Sequence, residues 1–134
     1  FMTEENKHKV IIVDDDDFLV DMYVTKFSSA DMVVEVCRSG QMLIDKLKSG
    51  VKADAILLDV VMPGLNGIET LQEIRNSKLA EGIPVIMLTN QNNETDIKDA
   101  KILNVSGYIV KSAITPSDLV AEVTGIINSK PSKK

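Results

Sequence analysis

The chain has 134 residues, 44% of them hydrophobic and 26% charged, with a formal net charge of −5. That length suits one domain on the usual scale of about 100–200 residues each, and the composition excludes a disordered or fibrous chain. No apolar run approaches the ~18 residues of a membrane span, no signal-peptide stretch opens the chain, and the acidic balance argues against direct nucleic-acid binding. The lone Cys37 excludes an internal disulfide and a cysteine-based zinc site, and it fits a reducing, cytoplasmic setting.

The apolar pattern alternates between two periods along the chain. Residues 10–13 (VIIV) predict a first strand, stopped sharply by Asp14, Asp15, Asp16 and Asp17. Leu19, Met22, Tyr23 and Phe27 then recur at helical spacing, with Asp17 expected to cap that helix. Residues 33–37 (VVEVC) predict the second strand, and Leu43 with Leu47 the second helix. Residues 55–58 (AILL) predict the third strand; Pro63-Gly64 marks a turn, and Ile68, Leu71 and Ile74, followed by Leu79, predict the third helix. Residues 83–88 (IPVIML) predict the fourth strand. Asn93, with Asp96 three residues on, reads as the N-cap of a fourth helix through Ile97 and Ala100, and Asn104 as the left-handed residue after it. Residues 107–110 (GYIV) predict the fifth strand, and Thr115-Pro116 open a last helix with the stripe Leu119, Val120, Val123, Ile126 and Ile127.

Short Val- and Ile-rich runs alternating with amphipathic helices imply an α/β fold, an open parallel sheet with helices on both faces. One domain is expected over residues 1–134, with an ordered core of about 8–128 and a basic tail or linker stub at 129–134. Ligands of such sheets bind beyond the carboxyl ends of the strands. There the sequence places Asp14 and Asp15 after the first strand and Asp59 after the third. Thr89 with Asn90 follows the fourth, and Lys111 follows the fifth.

Taken singly, four aspartates are a solvated patch, Asp59 a turn former, Thr89 a cap and Lys111 a solvated strand end. Their arrival at one sheet edge favours a shared task. Three crowded carboxylates repel one another unless a cation relieves them. Oxygen ligands without His or Cys point to Mg²⁺, which completes its shell with water and phosphate oxygens. A lysine charge and a threonine hydroxyl aimed at the same place suit a phosphoryl group held on a carboxylate. A Ca²⁺ loop fails because Phe18 falls on a ligand position and the required Gly is absent, and no phosphate-binding Gly motif exists. His8 reads as a solvated residue, and the sequons at Asn93 and Asn104 carry no meaning in a cytosolic chain.

The chain resembles a response regulator receiver domain, the phospho-acceptor module of two-component signalling. The resemblance rests on VDDDD at 13–17, LLDVVMPGLNG at 57–67, VIMLTN at 85–90 and GYIVK at 107–111. It implies a flavodoxin-like fold with strand order 2-1-3-4-5 and makes Asp59 the phospho-acceptor. Asp15 and Asp59 would ligate Mg²⁺ directly, with the Val61 backbone carbonyl as a third ligand and Asp14 acting through a water. Thr89 and Lys111 would contact the phosphoryl oxygens, Thr89 and Tyr108 would form the switch, and Val61, Asn90 and Gln91 would tune the site. The implied donor is a histidine kinase or histidine phosphotransfer protein, and the output a downstream protein target reached through the helix 4–strand 5–helix 5 face. The domain would be an enzyme only on itself.

Three departures from the family pattern stand out. Ser112 follows Lys111 where the family has Pro, and the loop to Leu119 is one residue longer, so it is expected to follow its own path. Asn90 replaces a small residue and is expected to slow phosphorylation or hydrolysis. Val61 brings no polar side chain to orient an attacking water. A receiver fold that has lost phosphorylation and a Mg²⁺-dependent phosphohydrolase with an Asp nucleophile are the alternatives; the second needs an acid where Val61 stands.

Overall fold

The computed structural model describes residues 7–90 and 93–129. Five strands, β1 (Lys9–Val13), β2 (Val33–Cys37), β3 (Ala55–Asp59), β4 (Val85–Thr89) and β5 (Gly107–Val110), alternate with α1 (Asp17–Ser29), α2 (Gly40–Lys48), α3 (Gly67–Asn76), α4 (Glu94–Ile102) and α5 (Pro116–Ser129). All pairings are parallel, and the sheet order is β2-β1-β3-β4-β5. This is the predicted doubly wound architecture.

Period-two alternation divides the strand residues between two apolar layers. Val10, Ile12, Ala55, Leu57, Ile86 and Leu88 pack with Tyr23 and Phe27 of α1 and Leu119, Val123 and Ile127 of α5. Ile11, Val13, Ile56, Leu58, Val85 and Met87 pack with α2, α3 and Ala100 of α4. The strands β1, β3 and β4 are buried along almost their whole length, as parallel inner strands must be. The edge strands β2 and β5 are largely half-buried, a correction to the expectation that all five are covered on both faces.

Local chemistry sets the helix starts. Asp16, not Asp17, caps α1: its carboxylate accepts from the Leu19 N–H at 3.1 Å. Asp17 is the first helical residue and pairs with Arg38. Ser39 caps α2, while Asn66 and Glu69 form a reciprocal capping box on α3. Asn93 caps α4 through the Asp96 N–H, as predicted. The last helix opens at Pro116, also as predicted, and there Thr115 accepts from the Asp118 N–H. Asn104 takes the left-handed conformation at φ 60°. The third helix stops at Asn76, so Leu79 belongs to the following loop.

Gly67 marks a close backbone junction at the sheet edge. A Cβ there would stand 2.3 Å from the Asp59 carbonyl oxygen and 2.9 Å from the Val60 Cα, so α3 is seated directly on the end of β3.

Candidate functional site

The strand parity that builds the core also aims the site. Asp14 continues the register of Val10 and Ile12, Asp59 that of Ala55 and Leu57, and Lys111 that of Ile109. All three therefore project toward the α1–α5 layer. Thr89 continues the register of Val85 and Met87 and, like Tyr108, belongs to the opposite layer.

Asp14, Asp15 and Asp59 converge, each offering a carboxylate oxygen within 4.8 Å of the others. Asp14 and Asp59 are buried, whereas Asp15 is exposed at the mouth. Asp14 Oδ1 accepts from the Asp16 N–H at 2.9 Å, which fixes the turn leading into α1. Lys111 Nζ donates to Asp14 Oδ2 at 2.7 Å and stands 3.3 Å from Asp59 Oδ1. Its side chain is only 7% exposed. Lys111 itself opens a short 3₁₀ turn, Lys111–Ala113, and no cis peptide occurs among the described residues. The loop with Ser112 thus takes a 3₁₀ path, and it still delivers the ammonium to the two aspartates.

The electrostatics are those of a pocket short of positive charge. Burial pushes the Asp59 carboxyl up to about 6; Lys111 opposes this, Asp14 reinforces it, and the Val61 backbone amide lowers it. Asp59 Oδ1 is buried without a hydrogen-bond partner. Burial pulls the Lys111 ammonium down, but the hydrogen bond to Asp14 and the charge of Asp59 more than offset it, and the net direction is up. A buried carboxylate oxygen that completes no hydrogen bond and faces a single ammonium, beside two further carboxylates, is a donor set suited to a hard divalent cation. The residues therefore fit Mg²⁺.

The other predicted residues lie around this pocket. Val61 is 60% exposed on the loop after β3, and Asn90 is exposed after β4. Gln91 lies outside the described residues. Thr89 is buried at the end of β4. The Tyr108 hydroxyl is buried facing the Thr89 side chain, near enough for it to lower the phenol against the upward push of burial, yet it completes no hydrogen bond of normal geometry.

Two features near the site escaped the sequence reading. The Arg38–Asp17 pair ties the loop after β2 to the start of α1, and a lone exposed arginine offers no periodic signal to reveal it. Tyr23 lies on the inward stripe of α1 in the layer toward which the acids project. Its place in an apolar stripe marked it only as core.

An open parallel sheet with three carboxylates, a lysine and a threonine at one edge has the architecture of a signalling receiver. The family model for the response regulator receiver domain matches residues 10–124, and the chain belongs to that family. It is 40% identical over 88 residues to a transcriptional regulatory protein, the CpxR homolog of Haemophilus influenzae, an alignment covering 66% of this chain and 37% of that protein. It is 32% identical over 118 residues to the response regulator SaeR of Staphylococcus aureus, covering 88% of this chain and 50% of SaeR. The chain thus spans half or less of the length of these curated relatives. Among solved structures, a CheY-like receiver domain protein from Methanospirillum hungatei superposes with a TM-score of 0.85 at 20% identity, over 93% of this chain and 97% of that one. At that identity the likeness establishes the fold. No helix among the described residues is long and apolar enough to cross a membrane.

Proposed function

We propose that the domain accepts a phosphoryl group on Asp59 from a phosphohistidine of a histidine kinase or phosphotransfer protein. The observation that carries this reading is the buried Asp59 carboxylate, short of donors, held within 3.3 Å of the Lys111 ammonium and within 4.8 Å of two further acids. An Asp59 oxygen attacks phosphorus, the new O–P bond forms, and the N–P bond breaks with the electron pair leaving on the imidazole. Little covalent chemistry is asked of the protein, so positioning and charge neutralisation dominate. Lys111 shields the equatorial oxygens, and Thr89 offers its hydroxyl from the β4 end. Asp14, Asp15, Asp59 and the Val61 carbonyl would hold Mg²⁺, Asp14 through a water. When bound, the ion supplies charge neutralisation of the phosphoryl oxygens. Hydrolysis of the aspartyl phosphate by an in-line water restores the carboxylate.

Output is a shift of population. The phosphoryl group favours whichever arrangement of Thr89 and Tyr108 binds it better, and moves the equilibrium only by that difference. The α4–β5–α5 face suits this role, because α4 buries only Ala100 and leaves Ile102 70% exposed. A downstream protein is the expected reader, and the net charge of −5 disfavours direct contact with nucleic acid. The test is labelling with acetyl phosphate and Mg²⁺. The wild-type chain takes up phosphorus and Asp59→Asn does not; Mg²⁺-dependent labelling that persists in Asp59→Asn moves the acceptor elsewhere.

A further inference from the structure

The carboxyl end of α4 is fastened to α3 by one side chain that the phospho-acceptor chemistry does not use. Arg75, in the last turn of α3, donates its Nε–H to the Leu103 carbonyl at 2.9 Å and an Nη2–H to the Asn104 carbonyl at 3.4 Å. We propose that Arg75 is a positioning residue for output: its guanidinium holds this end of α4 in place, so that phosphorylation swings the helix about that end and displaces its amino end. This rests on the phospho-acceptor reading above.

The choice of residue fits a clamp. The last carbonyls of a helix find no partner within it. A planar guanidinium reaches two adjacent carbonyls at once, which the point charge of a lysine does not, and a cation there also meets the negative end of the helix dipole. Arg75 is half-buried, and among the described residues no carboxylate pairs with it; burial alone acts on its ionisation and pulls it down. Its desolvation is therefore offset by main-chain oxygens of the α4–β5 junction.

The two ends of α4 are held unequally. Beside the clamp Ala100 is buried, Leu103 and Val105 pack against the core, and the Ser106 N–H bonds to the Val85 carbonyl at 2.8 Å on the way into β5. The base of the clamp is itself fixed, because α3 buries Ile68, Leu71 and Ile74 and seats Gly67 on β3. A cleft of about 720 Å³ lined by Arg75, Asn104 and Ser106 opens at the junction, so on that side hydrogen bonds rather than packed side chains hold it. At the amino end the Asn93 cap is local to the first turn, and Glu94 and Thr95 are exposed. That end leads on from Thr89 at the carboxyl edge of the sheet, where a phosphoryl group would act. A rod held at its far end and pushed at its near end turns rather than slides.

The experiment follows amide hydrogen exchange of wild type, Arg75→Lys and Arg75→Met in peptides spanning 93–98 and 99–106, each with Mg²⁺ alone and with Mg²⁺ and beryllofluoride. Ile44→Val, a buried substitution in α2, serves as a control that lowers stability without touching the clamp. Calorimetric titration of wild type, run first, establishes that beryllofluoride binds. Losing one hydrogen bond to a charged group corresponds to about a tenfold change in an equilibrium. In wild type and in Ile44→Val, beryllofluoride is expected to change exchange at 93–98 and to leave 99–106 within about twofold. In Arg75→Met, exchange at 99–106 is expected to rise about tenfold with Mg²⁺ alone and to respond to beryllofluoride together with 93–98; Arg75→Lys is expected to fall between. A wild-type response as large at 99–106 as at 93–98 overturns the proposal. So does an Arg75→Met response confined to 93–98, or an Ile44→Val response that spreads as far as that of Arg75→Met, since either makes Arg75 a merely structural residue. A wild-type domain that takes up no beryllofluoride in the calorimeter overturns the phospho-acceptor reading itself, and the pivot with it.

Discussion

Replacing the proposed acceptor Asp59 by Asn should make the unphosphorylated protein more stable at neutral pH. Burial holds the Asp59 carboxyl at about 6 against an ordinary 3.8. Between roughly pH 4 and pH 6 the folded state therefore binds more protons than the unfolded state, and stability falls as pH rises through that window. By pH 7 the whole penalty is in place. The gap between 3.8 and about 6 corresponds to about 3 kcal/mol. Asp59 is 3% exposed, so solvent screening removes little of it. Asn keeps the shape and cannot ionise, so Asp59→Asn should gain about 1–3 kcal/mol at pH 7, roughly 3–10 °C in melting temperature for a domain of this size. The gain should shrink toward zero near pH 4, where the wild-type carboxyl is itself neutral. Urea unfolding of both proteins at pH 7, 5.5 and 4 measures the difference, from which other titrating acids largely cancel. Millimolar Mg²⁺ should narrow the gap at pH 7, because a cation that binds the folded acid cluster stabilises the wild type more. A variant no more stable than wild type at pH 7, or an advantage unchanged at pH 4, would refute the account of Asp59 as a buried and under-compensated charge.

Gly67→Ala should destabilise the fold by about 1–3 kcal/mol, since its Cβ would meet the backbone of Asp59 and Val60, which cannot swing aside; it should also slow acetyl phosphate labelling, and full stability with a normal rate would contradict the close seating of α3. Asn90→Ala should raise the rate of phosphorylation or of phosphoryl loss by several-fold, followed by phosphate release and residual label; unchanged values of both would remove Asn90 from the list of tuning residues.

Much of the fold was legible because its signals are local. The inner strands announce themselves as unbroken apolar runs, and the caps at Asn93 and Thr115 follow from side-chain chemistry within one turn. The edges read less well. The expected fourth strand began at Ile83, but Ile83 and Pro84 precede β4, which starts at Val85; apolar composition alone does not tell a strand from the half-buried loop that feeds it. Four consecutive aspartates gave no local reason to prefer Asp17 over Asp16 as the cap. The choice depends on the Asp16 N–H binding Asp14 and on Arg38 claiming Asp17 from the neighbouring loop. The second of these is a tertiary contact. The gathering of Asp14, Asp15, Asp59 and Lys111 was legible only through topology, since nearly a hundred residues separate Asp14 from Lys111.

The partition of side chains by strand parity has a consequence for signalling that neither layer could produce alone. Asp14, Asp59 and Lys111 project toward α1 and α5, whereas Thr89 and Tyr108 belong with α3 and α4. On the proposed function, group transfer would be assembled mainly from one side of the sheet and its readout from the other. A phosphoryl group on Asp59 would stand at the rim where both layers end, the place from which one ligand can bias both. On the α3–α4 side the helices are held unequally: α3 buries Ile68, Leu71 and Ile74, while α4 buries only Ala100. A displacement of Thr89 toward the phosphoryl group would leave space beside the Tyr108 ring and the weakly buried α4. The tightly packed β3–α3 junction, by contrast, has no slack to give. Conformational change should therefore follow α4 and β5 rather than α3, because that is where the fewest apolar contacts must be broken.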